Sequence, residues 1–181
     1  MEIPVDILEK CHAEGVAAYP EEACGFISGT SSDPDLLDAV WPMRNIMNDL
    51  HEKDPKLNPR TARDGYLIDP LEQLKLERLL KKKGKEIKVI YHSHPDVGAY
   101  FSEKDKEDAL WNGKARYPGV KFLVCGTTKG KPDGAIIAEY NQDSSDFDIT
   151  KINVNLTQNS TGIVGGVFGI TGILPTIDFI H

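Results

Sequence analysis

Residues 86–94 read EIKVIYHSH, a short apolar run that ends in two histidines two positions apart and is stopped by Pro95. Bulky β-branched and aromatic residues at this length predict a buried strand. On an extended strand, residues two apart project from the same face, so His92 and His94 point together and Ser93 points away. Seven residues after Pro95, Ser102 opens the segment SEKDKEDALW (102–111). A serine followed by acidic residues in a first turn predicts a helix N-terminus. The chain must therefore carry a buried strand into a tight reversal and straight into a helix, with both histidines, the serine and Asp105 crowded at that corner.

Two imidazoles converging at one place most commonly hold a zinc ion. Asp105, in the first turn of the next helix, is the nearest carboxylate that could join them. Two histidines and one aspartate leave a fourth position open, which is a catalytic arrangement, since structural zinc sites are closed by four protein ligands. Ser102, one turn before Asp105, can face the same site, and its other possible role is plain helix capping. The segment YPEEACGFISG sets Glu21 and Glu22 at the start of an apolar strand, where a carboxylate is costly unless paired or poised. The residues alone leave either glutamate open as a general base.

The rest of the chain supplies alternating helices and strands. Ile3–Ala18 predicts an amphipathic helix stopped by Pro20, and 23–29 predicts a buried strand. Residues 36–43 predict a strand near a sheet edge, because Pro42 cannot donate to a ladder. From Asn45 to Gly65 the sequence is polar and holds two prolines. A loop this long without structure of its own is often functional. GYLID (65–69) predicts a brief strand. Asp69-Pro70 starts a helix whose Lys81–Lys83 end is solvated capping next to Gly84. Residues 121–127, 134–140 and 147–155 predict strands, with KGKPDG as one turn.

At 181 residues and net charge −7 the chain suits one soluble domain and argues against a nucleic-acid partner, which requires a basic face. The opening MEIPVDILEK shows neither the basic nor the apolar part of a secretory signal, and three cysteines without CxxC spacing predict core thiols in a reducing cytoplasm. Residues 162–181 are apolar and long enough to cross a membrane, but five glycines, Pro175 and Asp178 argue against it. A docked or loosely ordered tail is the expectation, so no membrane partner is predicted.

HSHP, six residues, then SEKD fits H-x-H-P-x6-S-x2-D without a gap. Together with the upstream PEEACG, the chain resembles the JAMM (MPN+) zinc metalloproteases, in particular their small stand-alone prokaryotic members. The resemblance runs from the first helix to about residue 155. It implies an α+β domain over residues 1–157, a curved mixed β-sheet flanked by helices in the cytidine deaminase-like JAMM/MPN fold, followed by an atypical Gly-rich tail over 158–181. It implies one zinc per chain on His92, His94 and Asp105. It also implies Ser102 as the residue that steadies the tetrahedral intermediate and Glu22 as the base, with Glu21 as the fallback. Related proteins cleave after the C-terminal Gly-Gly of ubiquitin-like or sulfur-carrier proteins, releasing an amino acid, a tail or a conjugated amine by means of a metal-activated water. The loop Ile46–Arg63 and the edge near 66–69 are candidates for gripping such a tail by strand addition. A non-catalytic MPN-type protein-binding module is the alternative. A nucleoside deaminase would need a PCxxC half-site and a thermolysin-like protease HExxH, and neither is present.

Overall fold

The computed structural model describes residues 1–152. The order of elements is α1 (Val5–Ala18), β1 (Cys24–Thr30), β2 (Ala39–Met43), α2 (Met47–Lys53), α3 (Pro70–Lys82), β3 (Lys85–Pro95), α4 (Glu103–Ala109), β4 (Leu110–Trp111), β5 (Lys114–Ala115), β6 (Lys121–Thr128), β7 (Lys131–Asn141) and β8 (Asp146–Ile152). Six strands form one mixed sheet in the order β2-β1-β3-β6-β7-β8, in which only β3 and β6 pair in parallel. This is the expected α+β class, a mixed sheet flanked by helices.

Strand alternation sorts the core onto the two faces of the sheet. Ile27, Val89, Tyr91, Leu123 and Cys125 pack on one face against Ile7, Leu8 and Cys11 of α1. Phe26, Ile90, Phe122, Val124 and Ile136 pack on the other against Leu76 and Leu80 of α3 and Ala109 of α4. All three cysteines are buried and free. β3 is central and buried from Lys88 to His94, so its two histidines lie inside the fold. β2, which carries Pro42, is an edge strand.

Several local readings are corrected. The stretch 65–69 is not a strand and makes only an isolated bridge, Ile68 to Asn45. The stretch 45–65 is not structureless, because it contains α2. Both differences trace to Asn45. Its Oδ1 accepts from the N–H of Met47 (3.1 Å) and of Leu67 (3.1 Å), and its Nδ2 donates to the carbonyls of Glu22 (3.1 Å) and Gly65 (3.0 Å). One side chain thus starts α2 and takes the place of ladder partners along 65–67, a local competition that hydrophobic patterning does not register. The third correction is smaller. The turn after β6 is only Lys129-Gly130, both at positive φ (52° and 71°), and Pro132 and Asp133 already belong to β7. Positive φ at both central positions is the geometry whose twist suits a two-residue hairpin.

The expected helix over 102–111 is shorter, ending at Ala109, and Leu110–Trp111 instead pair with β5. The expected strand over 147–155 is β8 as far as Ile152. The rest of it, the domain boundary at 157 and the tail over 158–181 lie outside the described residues. No helix among the described residues is long and apolar enough to cross a membrane.

Two positions carry predictions. A Cβ at Gly25 would sit 2.3 Å from the Trp41 carbonyl oxygen and 2.7 Å from the Tyr91 ring. Gly25→Ala is therefore expected to cost about 2–3 kcal/mol, read as a lower urea midpoint. Asn45→Ala removes four hydrogen bonds and leaves backbone groups unpaired. It is expected to cost at least about 2 kcal/mol, with 45–69 becoming more sensitive to limited proteolysis than the sheet.

Candidate metal centre

β3 delivers two histidines to the same face at its C-terminal end. His92 is 0% and His94 5% exposed. Their Nε2 atoms lie 3.0 Å apart. α4 brings the third group. Asp105 Oδ1 is 3.4 Å from His92 Nε2, and Oδ2 is 3.6 Å from His94 Nε2. Glu22, 6% exposed, completes the cluster, with a carboxylate oxygen and both histidine nitrogens all within 4.8 Å of one another.

Backbone pairing explains how Glu22 arrives there. Ser93, on the opposite face from the histidines, accepts from the N–H of Ala23 at its Oγ (2.8 Å) and donates its own N–H to the Ala23 carbonyl (2.9 Å). Ala23 is thereby clamped to the residue between the two histidines, and Glu22 next to it is brought up to them. The N–H of Glu22 donates to the Ala62 carbonyl at 2.6 Å, which ties the loop to the same point. Glu21 goes elsewhere, accepting a hydrogen bond from Asn48 at 2.9 Å.

Ser102 caps α4 in a complete capping box. Its Oγ accepts from the N–H of Asp105 (3.1 Å) and donates to Asp105 Oδ2 (2.6 Å), and its N–H donates to the same Oδ2 (2.8 Å). The capping role and a place at the site therefore coincide in one side chain, which also fixes the carboxylate of Asp105 against the histidines.

Two aromatic residues that the motif does not contain frame the centre. Tyr66 stacks on His92 with ring centroids 4.5 Å apart and 23° between planes, and Tyr100 tilts against His94 at 4.9 Å. Tyr66 follows Gly65 at the end of the polar loop, and neither its spacing nor its surroundings in the chain mark it. Tyr100 lies inside the six-residue gap of the motif, where any residue type satisfies the spacing.

Three groups of this cluster are pushed away from their ordinary ranges. Burial pushes the Glu22 carboxyl up to about 7, against the pull of His92. Burial and the neighbouring His92 push His94 down to about 4. Burial also raises Asp105, but His92 and the hydrogen bonds from Ser102 outweigh it and hold that carboxyl well below the usual range. The Nδ1 of His92 has no hydrogen-bond partner among the described residues. Buried carboxylates and imidazole nitrogens aimed at one point are the donor set a divalent cation satisfies, so the residues present fit a metal ion.

Beside this centre runs a groove of about 880 Å3 between the loop, α3 and α4. Leu50, Leu57, Tyr66, Leu67, Leu74 and Tyr117 line it. Tyr66 is shared by groove and centre, whereas none of Glu22, His92, His94 and Asp105 lines the groove. The loop expected to grip substrate thus forms a wall next to the site. At the edge near 66–69, Leu67 has already committed its carbonyl to Ile46 N–H (2.9 Å) and its N–H to Asn45.

Residues 4–140 match the family described as prokaryotic homologs of the JAB domain. A desampylase of Haloferax volcanii is 31% identical over 126 residues, which is 69% of this chain and 73% of that protein. A probable TtuB-protein conjugate cleaving protease of Thermus thermophilus is 30% identical over 69% of each chain. A CysO-cysteine peptidase of Mycobacterium tuberculosis is 32% identical over 57% of this chain and 61% of that one. A solution structure of a protein from Desulfitobacterium hafniense superposes with a TM-score of 0.56 at 25% identity, covering 81% of this chain and 86% of the other. The family match spans every residue of the cluster from Glu22 to Asp105, and the named relatives are hydrolases. The chain therefore belongs to the family of prokaryotic homologs of the JAB domain and is a hydrolytic enzyme of that family.

Proposed function

We propose that the protein is a zinc-dependent peptidase or isopeptidase that cleaves after the C-terminal Gly-Gly of a ubiquitin-like or sulfur-carrier protein, acting in the cytoplasm. The observation that carries this reading is the convergence of buried Glu22, His92 and His94 with partly buried Asp105 at the end of β3. The relatives support the substrate class. One is named for cleaving TtuB-protein conjugates and one as a CysO-cysteine peptidase.

His92 and His94 through Nε2, with the carboxylate of Asp105, would hold one zinc ion. Bound there, zinc supplies Lewis-acid chemistry, polarising a carbonyl and making water more acidic. The residues of the chain do the rest. Glu22 takes the proton of the attacking water and returns it to the leaving amine, so that the amine departs neutral. Ser102 turns its hydroxyl hydrogen from Asp105 toward the carbonyl oxygen as negative charge grows there. Burial of Glu22, His92 and His94, with Asp105 partly buried beside them, keeps bulk water from screening these interactions. Tyr66 and Tyr100, on either side of the histidine pair, narrow the approach. A substrate with no Cβ at the two residues before the scissile bond can bring its backbone closest. The groove shared through Tyr66 offers apolar wall to the folded body of the carrier.

The test is hydrolysis of carriers extended past Gly-Gly, with zinc quantified in the same preparations. Glu22→Gln is expected to keep about one zinc per chain and to lose about 10²–10⁴-fold in turnover. His94→Ala is expected to lose both the metal and activity. A Glu22→Gln protein that cuts at the wild-type rate, or a zinc-loaded wild type that cuts no Gly-Gly carrier, would remove this reading.

A further inference from the structure

The loop between β2 and α3 passes the metal centre on a pinned stretch. Ala62, 1% exposed, accepts from the N–H of Glu22 (2.6 Å) and donates its own N–H to Asn48 Oδ1 (2.8 Å). Thr61 closes a turn on Asp64, whose Oδ1 accepts from the Thr61 N–H (2.8 Å) and hydroxyl (3.3 Å). The residue just before this stretch is Arg60. Its guanidinium lies on Gly65, where an added Cβ would meet Cζ at 2.9 Å, Nη2 at 3.0 Å and Nε at 3.1 Å. Three nearly equal distances mean that the flat face of the group covers the glycine, which leaves its N–H edges free. A residue without a Cβ permits so close an approach. Tyr66, the ring stacked on His92, follows Gly65 directly, and Arg60 and Tyr66 both line the groove. Burial, His92 and Asp105 act most strongly on Glu22 and His94, and the Arg60 charge acts on both after them. The cation therefore sits at the junction of groove and centre.

The acids around it are spent elsewhere. Asp64 is taken by Thr61. Of the two carboxylates that line the groove, Glu77 accepts from Gln73 (2.8 Å) and Asp108 pairs with Lys104. Among the described residues no carboxylate lies within ion-pair distance of the Arg60 guanidinium, while Arg44, five residues from Asp49, has such a partner at 2.6 Å. Arg60 is thus a fixed cation at the edge of an apolar groove, presented from a pinned loop and lacking an acceptor.

We propose that Arg60 is a specificity-determining residue that receives the carboxylate of an Asp or Glu placed immediately before the Gly-Gly of the substrate. Gly-Gly occupies the narrow frame between Tyr66 and Tyr100, and two extended residues span about 7 Å. The preceding residue is therefore the first with a side chain, and it emerges past Tyr66 into the groove, beside the free N–H edges of Arg60. A fork of N–H donors matches the two oxygens of a carboxylate, and the apolar wall strengthens the pair relative to open water. A basic residue at the same place would meet like charge, so Arg60 also selects against basic tails. This inference rests on the Gly-Gly peptidase reading and names which Gly-Gly tails the centre accepts.

The experiment uses zinc-loaded full-length protein and three peptides, acetyl-Leu-X-Gly-Gly-aminomethylcoumarin with Glu, Gln or Lys at X. A carrier extended past Gly-Gly is assayed in parallel. kcat/KM is expected to fall from Glu to Gln to Lys, by at least about tenfold from end to end. The difference is expected in KM, with kcat within about twofold, because the contact is as strong in the bound substrate as in the transition state. Arg60→Met is expected to level the three peptides and Arg60→Glu to reverse their order, both with about one zinc per chain. Arg78→Glu makes the same change of charge at an exposed position of α3 that does not line the groove, and it is expected to keep the wild-type order. If wild type cuts the three peptides equally, or Arg60→Glu keeps the wild-type order, the inference is wrong and the peptidase reading stands. The same holds if the carrier is cut and no peptide is, since recognition then lies elsewhere on the carrier. If neither is cut, both are wrong. A reversal that Arg78→Glu reproduces would make the effect one of net charge and overturn the assignment to Arg60.

Discussion

The pair of hydrogen bonds between Ala23 and Ser93 holds the candidate centre together. β1 and β3 are adjacent strands, but the last register pair of their ladder is Cys24 with His92. One step beyond it, the side chain and backbone of Ser93 together grip Ala23. That grip carries Glu22 to the histidine face while its neighbour Glu21 goes to Asn48. It works because strand geometry sends Ser93 to the face opposite His92 and His94. The alternation that brings two imidazoles together thus also provides the hook that brings the carboxylate to them. Asn45 does a matching task from the other side, fastening the loop to the carbonyl of Glu22.

The sheet places these groups and also bears their cost. Glu22, His92 and His94 lie buried, with Asp105 partly buried, at one point flanked by two aromatic rings, next to an apolar core that includes Phe26, Ile90, Phe122, Val124 and Ile136. Burying carboxylates and imidazoles without full partners is unfavourable. The opposed shifts of Glu22 and Asp105, one driven up by burial and the other held down by His92 and Ser102, are the mark of groups placed by packing elsewhere. Such clusters persist where the surrounding structure determines them, and they are concentrated at functional sites.

Much of this was legible in the chain. The histidine spacing, the proline stop and the Ser102–Asp105 offset are short-range patterns whose geometry follows from strand and helix periods, so their meeting at one corner could be read directly. The mixed sheet followed from the alternation of apolar runs and helices. What was not legible depended on single polar side chains acting at a distance. Nothing in the spacing reveals that Asn45 replaces a strand at 65–69 and starts a helix at Met47, or that Tyr66 folds back onto His92. The choice between Glu21 and Glu22 likewise could not be made from residue types alone. The structure separates them by a hydrogen bond seventy residues away in sequence, from Ala23 to Ser93.

The most direct test of the account is anomalous diffraction at the zinc edge from crystals of the full-length protein grown with zinc. The account predicts a single strong peak per chain, bonded to His92 Nε2, His94 Nε2 and the Asp105 carboxylate, with Glu22 close by but outside the ligand set. A peak coordinated by other residues, or a fully occupied ion whose ligands include Glu22 in place of Asp105, would contradict the assignment of roles on which the proposed chemistry depends.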